Sequence, residues 1–196
     1  MGLNAVRLSF LLRMREACFD ASGTPVGPVT FAVAPGERAA HACGSSREAH
    51  VVALLAAGIV KAGSGCVLLD EYDPRVQSAH CKRIAAFVPH DPLPLAGIEF
   101  DRYISYRAAL WNVDRMRAIV HAKLLMERLD GMHEAFAVPL VGALVGDPKI
   151  LVLDRPQAAY ATHVLAAAGP RAVLSTHVGA AAAGAFAGAA AETTFA

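Results

Sequence analysis

The chain has 196 residues, of which 55% are hydrophobic and 18% charged, and its formal net charge is +1. This length fits one domain that can bury a sizeable apolar core. A charge so close to neutral lacks the basic excess that nucleic-acid binding or a polybasic membrane patch requires, so we expect no nucleic-acid partner.

The four cysteines are well separated and form no Cys-x-x-Cys pair, which favours a reduced, cytoplasmic setting over a disulfide scaffold. Arginines interrupt the apolar residues of positions 1–20, so no secretory signal peptide is expected there. The Ala-rich tail, 179–196, is too short and too rich in small residues for a membrane span, which needs roughly 18 or more apolar residues. We expect it to form a terminal helix, packed or frayed.

The first third of the chain is predicted to form strands followed by a helix. "VRLSFLLRMREACF" (6–19) is typical of one or two antiparallel strands, and "VTFAVAPGE" (29–37) alternates until a Pro-Gly turn. "RAAHAC" (38–43) indicates a short buried strand. "SREAHVVALLAAG" (46–58) follows a helical pattern that closes on Gly58.

The middle of the chain predicts two short strands and a long helical region. "GSGCVLLDEYDP" (63–74) is typical of turn, strand and turn, and "RIAAFVPHDP" (83–92) of a strand stopped by Pro89. From 100 to 129 the pattern is helical. The apolar residues expected on its buried faces are Ile104, Leu110, Met116, Ile119, Leu124, Leu125 and Leu129.

Two apolar segments near the carboxyl end, "KILVLD" (149–154) and "RAVLSTH" (171–177), each finish on polar residues, as buried parallel strands do. Strands that alternate with helices predict an α/β fold with a mainly parallel sheet.

Five segments, in this order and spacing, resemble the nucleotide-binding domain of ABC transporters. "VTFAVAPGERAA" (29–40) resembles the strand and turn before the Walker A loop, and "GSGCVLLDEYDP" the strand after its helix. "RIAAFVPHDPLP" (83–94) resembles the Q-loop strand. "ALVGDPKILVLDRP" (143–156) resembles the Walker B strand, and "VLSTH" (173–177) the switch strand with its H-loop histidine.

The resemblance implies a single domain, 1–196, with a P-loop NTPase-like ABC ATPase core. That core has a mainly parallel sheet, amino-terminal antiparallel strands and a compact helical subdomain at about 97–140. The family's cofactor is magnesium-bound ATP, and its partners are a membrane permease subunit and a second ATPase subunit.

The loop that should hold phosphate departs from the family pattern G-x-x-x-x-G-K-[ST]. It reads "CGSSREAH", with Cys43 and Glu48 at the glycine positions, Ala49 at the lysine position and His50 at the magnesium-binding hydroxyl position. Gly44 is kept. The resemblance assigns a set of candidate nucleotide-binding residues, with His90 at the Q-loop glutamine and Phe19 as the adenine-stacking aromatic: Gly44, Ser45, Ser46, Arg47, Ala49, His50, His90 and Phe19.

Glu48 opposes phosphate rather than merely omitting a contact. A carboxylate about 4 Å from a phosphate charge costs on the order of 4 kcal/mol at an effective dielectric near 20. Ala49 adds to this, because the attraction of the lysine is lost. Arg47 can offset part of the cost, and a helix N-terminus still attracts anions. We therefore predict weak or absent binding of magnesium-nucleotide.

Most of the other positions that serve nucleotide in the family also carry residues that do not fit that role. Asp154 matches the Walker B aspartate and is the one candidate magnesium ligand, but Arg155 stands where the catalytic glutamate belongs. A guanidinium stays protonated and cannot act as a general base. "LDGMHEAF" (129–136) fits the signature motif badly, and 156–161 lacks the Leu-Asp of the D-loop. His177 is kept, so the residual catalytic candidates are His177 and Asp154.

Each retained or substituted residue also has a simpler structural interpretation. Asp154 can be a turn or capping residue, and His177 can finish its strand with a hydrogen bond. Phe19 can belong to the core and Arg47 to a solvated loop. Arg155 can form an internal ion pair with a nearby acid.

Two other kinds of site have little support. Cys66, His80, Cys81 and His90 lack the usual zinc spacings. The sequence has no G-x-S-x-G elbow for a Ser-His-Asp hydrolase.

The leading hypothesis is a pseudo-ATPase, an ABC-type subunit that acts as a scaffold or regulator of a transporter complex. We expect it in the cytoplasm, at the membrane through a permease or an intact ABC ATPase subunit. One alternative is a working ABC ATPase in which Arg47, His50 and His90 take over the phosphate and metal contacts. Another is a soluble sensor whose altered pocket binds a different anion.

Overall fold

A computed structural model describes residues 9–20, 24–91 and 97–193, with side chains described as far as residue 188. Residues 6–8 of the first predicted strand and 194–196 of the tail lie outside the described residues. The strands are β1 (Leu12–Phe19), β2 (Val26–Val33), β3 (Arg38–Cys43), β4 (Ser64–Leu69), β5 (Ala85–Val88), β6 (Ile150–Asp154) and β7 (Ala172–Val178). The helices are α1 (Ser46–Ala56), α2 (Ser78–Ile84), α3 (Phe100–Trp111), α4 (Arg115–Arg128), α5 (Glu134–Leu144), α6 (Ala161–Ala168) and α7 (Ala180–Thr193).

The strands form two sheets. β3, β7, β6 and β5 make a four-stranded parallel sheet in that order, and β2, β1 and β4 make a three-stranded antiparallel sheet. The carboxyl ends of β3, β5, β6 and β7 share one edge of the parallel sheet, and the start of α1 faces that edge. The predicted α/β class, with amino-terminal antiparallel strands, is confirmed.

The parallel sheet separates two apolar cores, because successive side chains on a strand point to opposite faces. On β6, Ile150 and Val152 pack with α1 and the antiparallel sheet. Leu151 and Leu153 pack on the other face, against α4, α5 and α6. All four side chains are at most 2% exposed. The apolar run "ILVL" thus reflects burial on both faces.

Two predicted elements need correction. The predicted strand that Pro89 stops begins later than residue 83, because Arg83 and Ile84 finish α2, which buries Cys81 and Ile84, and the strand is Ala85–Val88. The helical region 100–129 is two helices, since Asn112 adopts a left-handed conformation (φ 53°) and Asp114 caps α4. Gly58 follows α1 at φ +67°, as its predicted role required.

Three residues that we expected on buried helix faces are exposed. Leu110 is 60% exposed, Met116 65% and Leu124 50%. The reason is that α3 and α4 bury a different face, and the small residues on that face pack closely against α5 and, from α4, against α6. The residues buried on that face are Ile104, Ala108, Ala118, Ile119, Ala122 and Leu125.

The tail forms α7, and its Phe186 is 1% exposed in the core on the α5 and α6 side of the sheet. Within the part of the chain that the structure describes, no helix has both the length and the apolar character to span a membrane.

Trp111 at the end of α3 packs on the turn after α5. A Cβ placed on Gly146 would lie only 2.1 Å from Trp111 Cδ2, whereas a Cβ on Gly184 in α7 would meet nothing within 4 Å. The absence of a side chain at Gly146 therefore allows this contact between α3 and the turn before β6.

We predict that Gly146→Ala lowers the free energy of unfolding by about 1–3 kcal/mol, because the methyl group overpacks against the indole ring. The matched change Gly184→Ala is expected to raise it by about 0.5–1 kcal/mol, since alanine is the better helix former. Denaturant unfolding of both variants measures these values. Equal stability of the two variants would contradict the packing described here.

Candidate functional site

The candidate site lies where the parallel strands end. Gly44 and Ser45 follow β3, His90 follows β5, and Asp154 and Arg155 finish and follow β6. The predicted site residues Gly44, Ser45, His50, His90 and Asp154 thus meet at one edge of the sheet. Ligand sites of open α/β sheets occupy this edge.

Glu48 folds back onto the loop that precedes α1. Ser45 caps the helix, its Oγ accepting a hydrogen bond of 3.1 Å from the Glu48 amide, while Glu48 Oε2 accepts one of 2.8 Å from the Gly44 amide. The two contacts resemble a capping box, in which a residue three positions into the helix reaches back to the loop. A carboxylate of the protein therefore takes an amide donor that a helix N-terminus offers to an anion.

Ala49, which the sequence aligns with the family's phosphate-binding lysine, is buried and cannot reach a phosphate. Ala49 is 0% exposed and belongs to the core that α1 shares with the antiparallel sheet. Cys43, at the first glycine position, is buried, and burial, with the charges of Glu48 and Asp154 beside it, raises the pKa of its thiol to about 11. Neither residue offers a positive charge or an amide-lined gap to phosphate.

Asp154 is a buried carboxylate with both oxygens engaged. Its side chain is 1% exposed, and His50 Nδ1 donates to Oδ2 at 2.6 Å. Arg155 donates from Nε to Oδ1 at 2.8 Å and from Nη2 to Oδ2 at 3.3 Å. Burial alone would raise the pKa of Asp154, but the hydrogen bonds from Arg155 and His50 outweigh it and hold the pKa below its ordinary value.

Arg155 is held in place from three sides. Its backbone adopts a left-handed conformation (φ 47°), and its amide donates to the Thr176 carbonyl at 3.0 Å. His90 Nδ1 donates to the Arg155 carbonyl at 2.9 Å. The hydrogen bond to Asp154 raises the pKa of the Arg155 guanidinium. The internal ion pair considered for Arg155 is thus present, and the group cannot accept a proton from water.

These contacts do not fit a magnesium ion in the family's manner. Magnesium needs oxygen ligands in near-octahedral geometry, but the hydroxyl position holds the His50 imidazole, and that ring binds the carboxylate that should serve the metal.

His177 lies at the end of β7, apart from the Asp154 contacts. Its Nε2 forms a hydrogen bond of 2.9 Å with Ser175 Oγ, and its ring centroid is 5.3 Å from that of Phe186. Its side chain is buried, and burial lowers its pKa. The structure therefore places His177 in a hydrogen bond on its own strand.

The other candidates lie at the surface or in a core. Ser46 and Arg47 are exposed in the first turn of α1. Phe19 is half-buried at the end of β1, packed on the core of the antiparallel sheet. Its role in stacking on adenine stays a prediction. His80 stacks on Tyr72 with ring centroids 4.9 Å apart.

The segment aligned with the signature motif connects α4 to α5 and is largely exposed, at Asp130, Gly131 and His133. Leu129 and Met132 are buried, and His133 caps α5 by accepting from the Ala135 amide at 3.2 Å. A cavity of about 40 Å³ between α5 and the sheet is lined in part by Met132, Phe136 and Asp154. Met132 is part of the core on this side of the sheet, and Phe136 packs against it.

Two contacts of the site were not predicted. The spacing Ser45-x-x-Glu48 is a capping-box pattern, so the inward position of Glu48 was readable from the sequence. The contact between His50 and Asp154 joins residues 104 positions apart, and nothing local indicates it.

The sequence matches no protein-family model and no curated protein. The structure is similar to CbiO1 from Clostridium perfringens, described as part of the ABC transporter complex CbiONQ. The TM-score is 0.67 at 16% identity over 87% of this chain and 79% of that one. It is also similar to an ATP-binding subunit of an ABC transporter, with a TM-score of 0.70 at 16% identity over 88% and 81% of the two chains.

The chain has the fold of the ATP-binding subunits of ABC transporters. The resemblance inferred from the five sequence segments is confirmed at the level of the fold. Within this ABC ATPase fold, His50 and Arg155 contact Asp154, the residue that the sequence segments align with the Walker B carboxylate.

We predict that stability falls with acidification through His177. Burial lowers its pKa below the ordinary value of about 6.5, so between these two values the unfolded chain binds more protons than the folded one. The free energy of unfolding should therefore decrease as the pH falls below about 6.5 and be unaffected by this group above it.

Unfolding measured from about pH 7.5 to 5 should show a shallower pH dependence for His177→Gln than for the wild type. His121→Gln, at an exposed histidine, is the control and should keep the wild-type slope. If the free energy of unfolding of His177→Gln depended on pH as steeply as that of the wild type, His177 would have the same pKa in the folded and unfolded chains, and the prediction would be wrong.

Proposed function

We propose that this protein is a pseudo-ATPase, an ABC-type subunit that acts as a scaffold or regulator of a transporter complex. The observation that carries the proposal is the hydrogen bond of 2.8 Å from the Gly44 amide to the Glu48 carboxylate. A phosphate that entered this loop would find the Gly44 amide, a hydrogen-bond donor that it needs, already bonded to the negatively charged Glu48 carboxylate.

The cost of admitting phosphate can be bounded. With Glu48 in place, repulsion at about 4 Å amounts to roughly 4 kcal/mol at an effective dielectric near 20. If Glu48 instead swings outward, the loop loses a charge-assisted hydrogen bond worth roughly 1.5–3 kcal/mol. Glu48 is partly exposed, so the second, cheaper route is open to it and sets the barrier. Either route weakens nucleotide binding by a factor of ten or more, since about 1.4 kcal/mol is tenfold.

Hydrolysis faces a separate obstacle. The position after Asp154 is Arg155, whose guanidinium is bonded to Asp154 and stays protonated. A nucleotide held in the loop would find no carboxylate there to orient and deprotonate an attacking water. Weak binding without turnover is therefore what we expect even from a variant that admits phosphate.

The partners follow from the fold of the similar proteins. CbiO1 is described as part of an ABC transporter complex, and we propose that this chain likewise joins a membrane permease subunit, an intact ABC ATPase subunit, or both. It would then reside in the cytoplasm, at the membrane through that partner.

The competing function is a working ABC ATPase. It requires Arg47, His50 and His90 to take over the phosphate and metal contacts. Two of these are committed elsewhere, His50 to Asp154 at 2.6 Å and His90 to the Arg155 carbonyl at 2.9 Å. Both would have to be released.

Calorimetric titration of the full chain with magnesium-ATP tests the proposal. We expect no saturable binding at micromolar nucleotide and no phosphate release. Glu48→Ala should bind pyrophosphate at least tenfold more tightly than the wild type and still not hydrolyse ATP. Glu99→Ala, which removes an exposed acid at the start of α3, is the matched control and should bind like the wild type.

Micromolar binding and turnover by the wild type, lost in the double variant Arg47→Ala and His50→Ala, would replace the proposal with the working ATPase. Wild-type binding that survives in that double variant would point to a third use of the pocket, for a different anion.

A further inference from the structure

We propose that Cys18 and Cys66 form a two-thiolate binding site for the soft metal ion Cu(I) on the antiparallel sheet. The chain has four cysteines, and all of them are free. Cys43 and Cys81 are buried, whereas Cys18 on β1 and Cys66 on β4 are partly exposed. Thiolates are among the side-chain ligands that select Cu(I). Two accessible thiols therefore lie on neighbouring strands of one sheet.

Both thiols lie on the outer face of the antiparallel sheet, the face turned away from α1. Successive side chains of a strand point to opposite faces. Ala17 and Phe19, on either side of Cys18, pack in the core between this sheet and α1, and so does Val67, which follows Cys66. Cys18 and Cys66 thus share the face that solvent reaches.

The register of β1 and β4 sets the distance between the two thiols. Cys18 lies opposite Ser64 and Cys66 opposite Arg15, so the cysteines are diagonal neighbours, offset along the strands. Diagonal Cβ atoms of an antiparallel pair are roughly 7 Å apart, whereas a disulfide needs about 3.5–4.5 Å. The pair is therefore too wide for a direct sulfur–sulfur bond.

A bridging ion supplies the missing length. Metal–thiolate bonds of about 2.3 Å place the two sulfurs of a linear sulfur–metal–sulfur unit about 4.6 Å apart, and Cu(I) accepts this two-coordinate arrangement. Within the described residues, no group of three or more His, Cys, Asp or Glu side chains can hold a metal ion. A structural zinc ion needs four ligands, so the pair favours a two-coordinate soft ion over zinc.

The irregularity of the strands between the two cysteines turns the Cys18 sulfur toward Cys66. Cys18 Sγ donates to the Glu16 carbonyl at 3.6 Å, and that carbonyl lies on the side of Arg15, the residue opposite Cys66. A Cβ on Gly65 would lie only 2.0 Å from the same carbonyl oxygen. Because position 65 is glycine, β4 approaches β1 closely here, and no side chain of residue 65 separates the thiols.

Positive charge is available beside the pair. Two thiolates and one Cu(I) ion together carry one net negative charge. Arg15, directly opposite Cys66, is exposed and forms no ion pair within the described residues. Its guanidinium can therefore stabilise the complex by attraction between opposite charges.

The test is an anaerobic titration of the reduced full chain with Cu(I) held by the chromogenic competitor bicinchoninate. The wild type should remove one Cu(I) per chain from the competitor. Cys18→Ser and Cys66→Ser should each bind at least tenfold more weakly, because one of the two ligands is lost. Cys81→Ala, which removes a buried thiol, is the matched control and should bind like the wild type.

Alkylation identifies the thiols that hold the ion. With N-ethylmaleimide under native conditions, mass spectrometry should find Cys18 and Cys66 modified in the metal-free chain and both protected after one equivalent of Cu(I). Circular dichroism verifies that each variant is folded, and gel filtration should give the same elution volume with and without Cu(I).

Undiminished Cu(I) binding by Cys18→Ser or Cys66→Ser would overturn the proposal. So would a Cu(I)-dependent dimer, which would mean that the ion joins thiols of two chains. Neither outcome bears on the nucleotide titrations, because none of the proposed ligands belongs to the 43–50 loop.

Discussion

The buried carboxylate of Asp154 is the constraint on which the arrangement of this site depends. A charge with a side chain 1% exposed is stable only when hydrogen bonds and opposite charge compensate it. Here His50 on α1 and Arg155 after β6 supply both, and His90 after β5 and the Thr176 carbonyl of β7 fix the backbone of Arg155. One buried charge thereby connects α1 to three strands of the parallel sheet.

Under the proposed function, the same contacts account for an ABC ATPase fold without the usual site chemistry. The Glu48 carboxylate on the Gly44 amide and the His50 ring on Asp154 then stand where the sequence alignment places phosphate and metal. Glu48 thereby gives the Gly44 amide a hydrogen-bond acceptor, and His50 gives the buried Asp154 carboxylate a hydrogen-bond donor.

Much of the fold could be predicted from the sequence, because buried strands and helix ends leave local patterns. "KILVLD", "RAVLSTH" and Gly58 were interpreted correctly. The short helix α2 was missed because it has no side-chain cap and buries only Cys81 and Ile84. The exposure of Met116 and Leu124 was missed because either face of α4 offered apolar residues, and only tertiary packing selects between them. The contact from His50 to Asp154 likewise exists only in the folded chain.

The central claim is that Glu48 occupies the anion position of the loop, and the Gly44 amide reports on it directly. In ¹⁵N-labelled protein, we predict that the Gly44 amide resonance of the wild type does not move on addition of magnesium-ATP or pyrophosphate. In Glu48→Ala it should shift, because the hydrogen bond is lost, and then move saturably with pyrophosphate. A wild-type Gly44 resonance that titrates with micromolar magnesium-ATP would contradict the account.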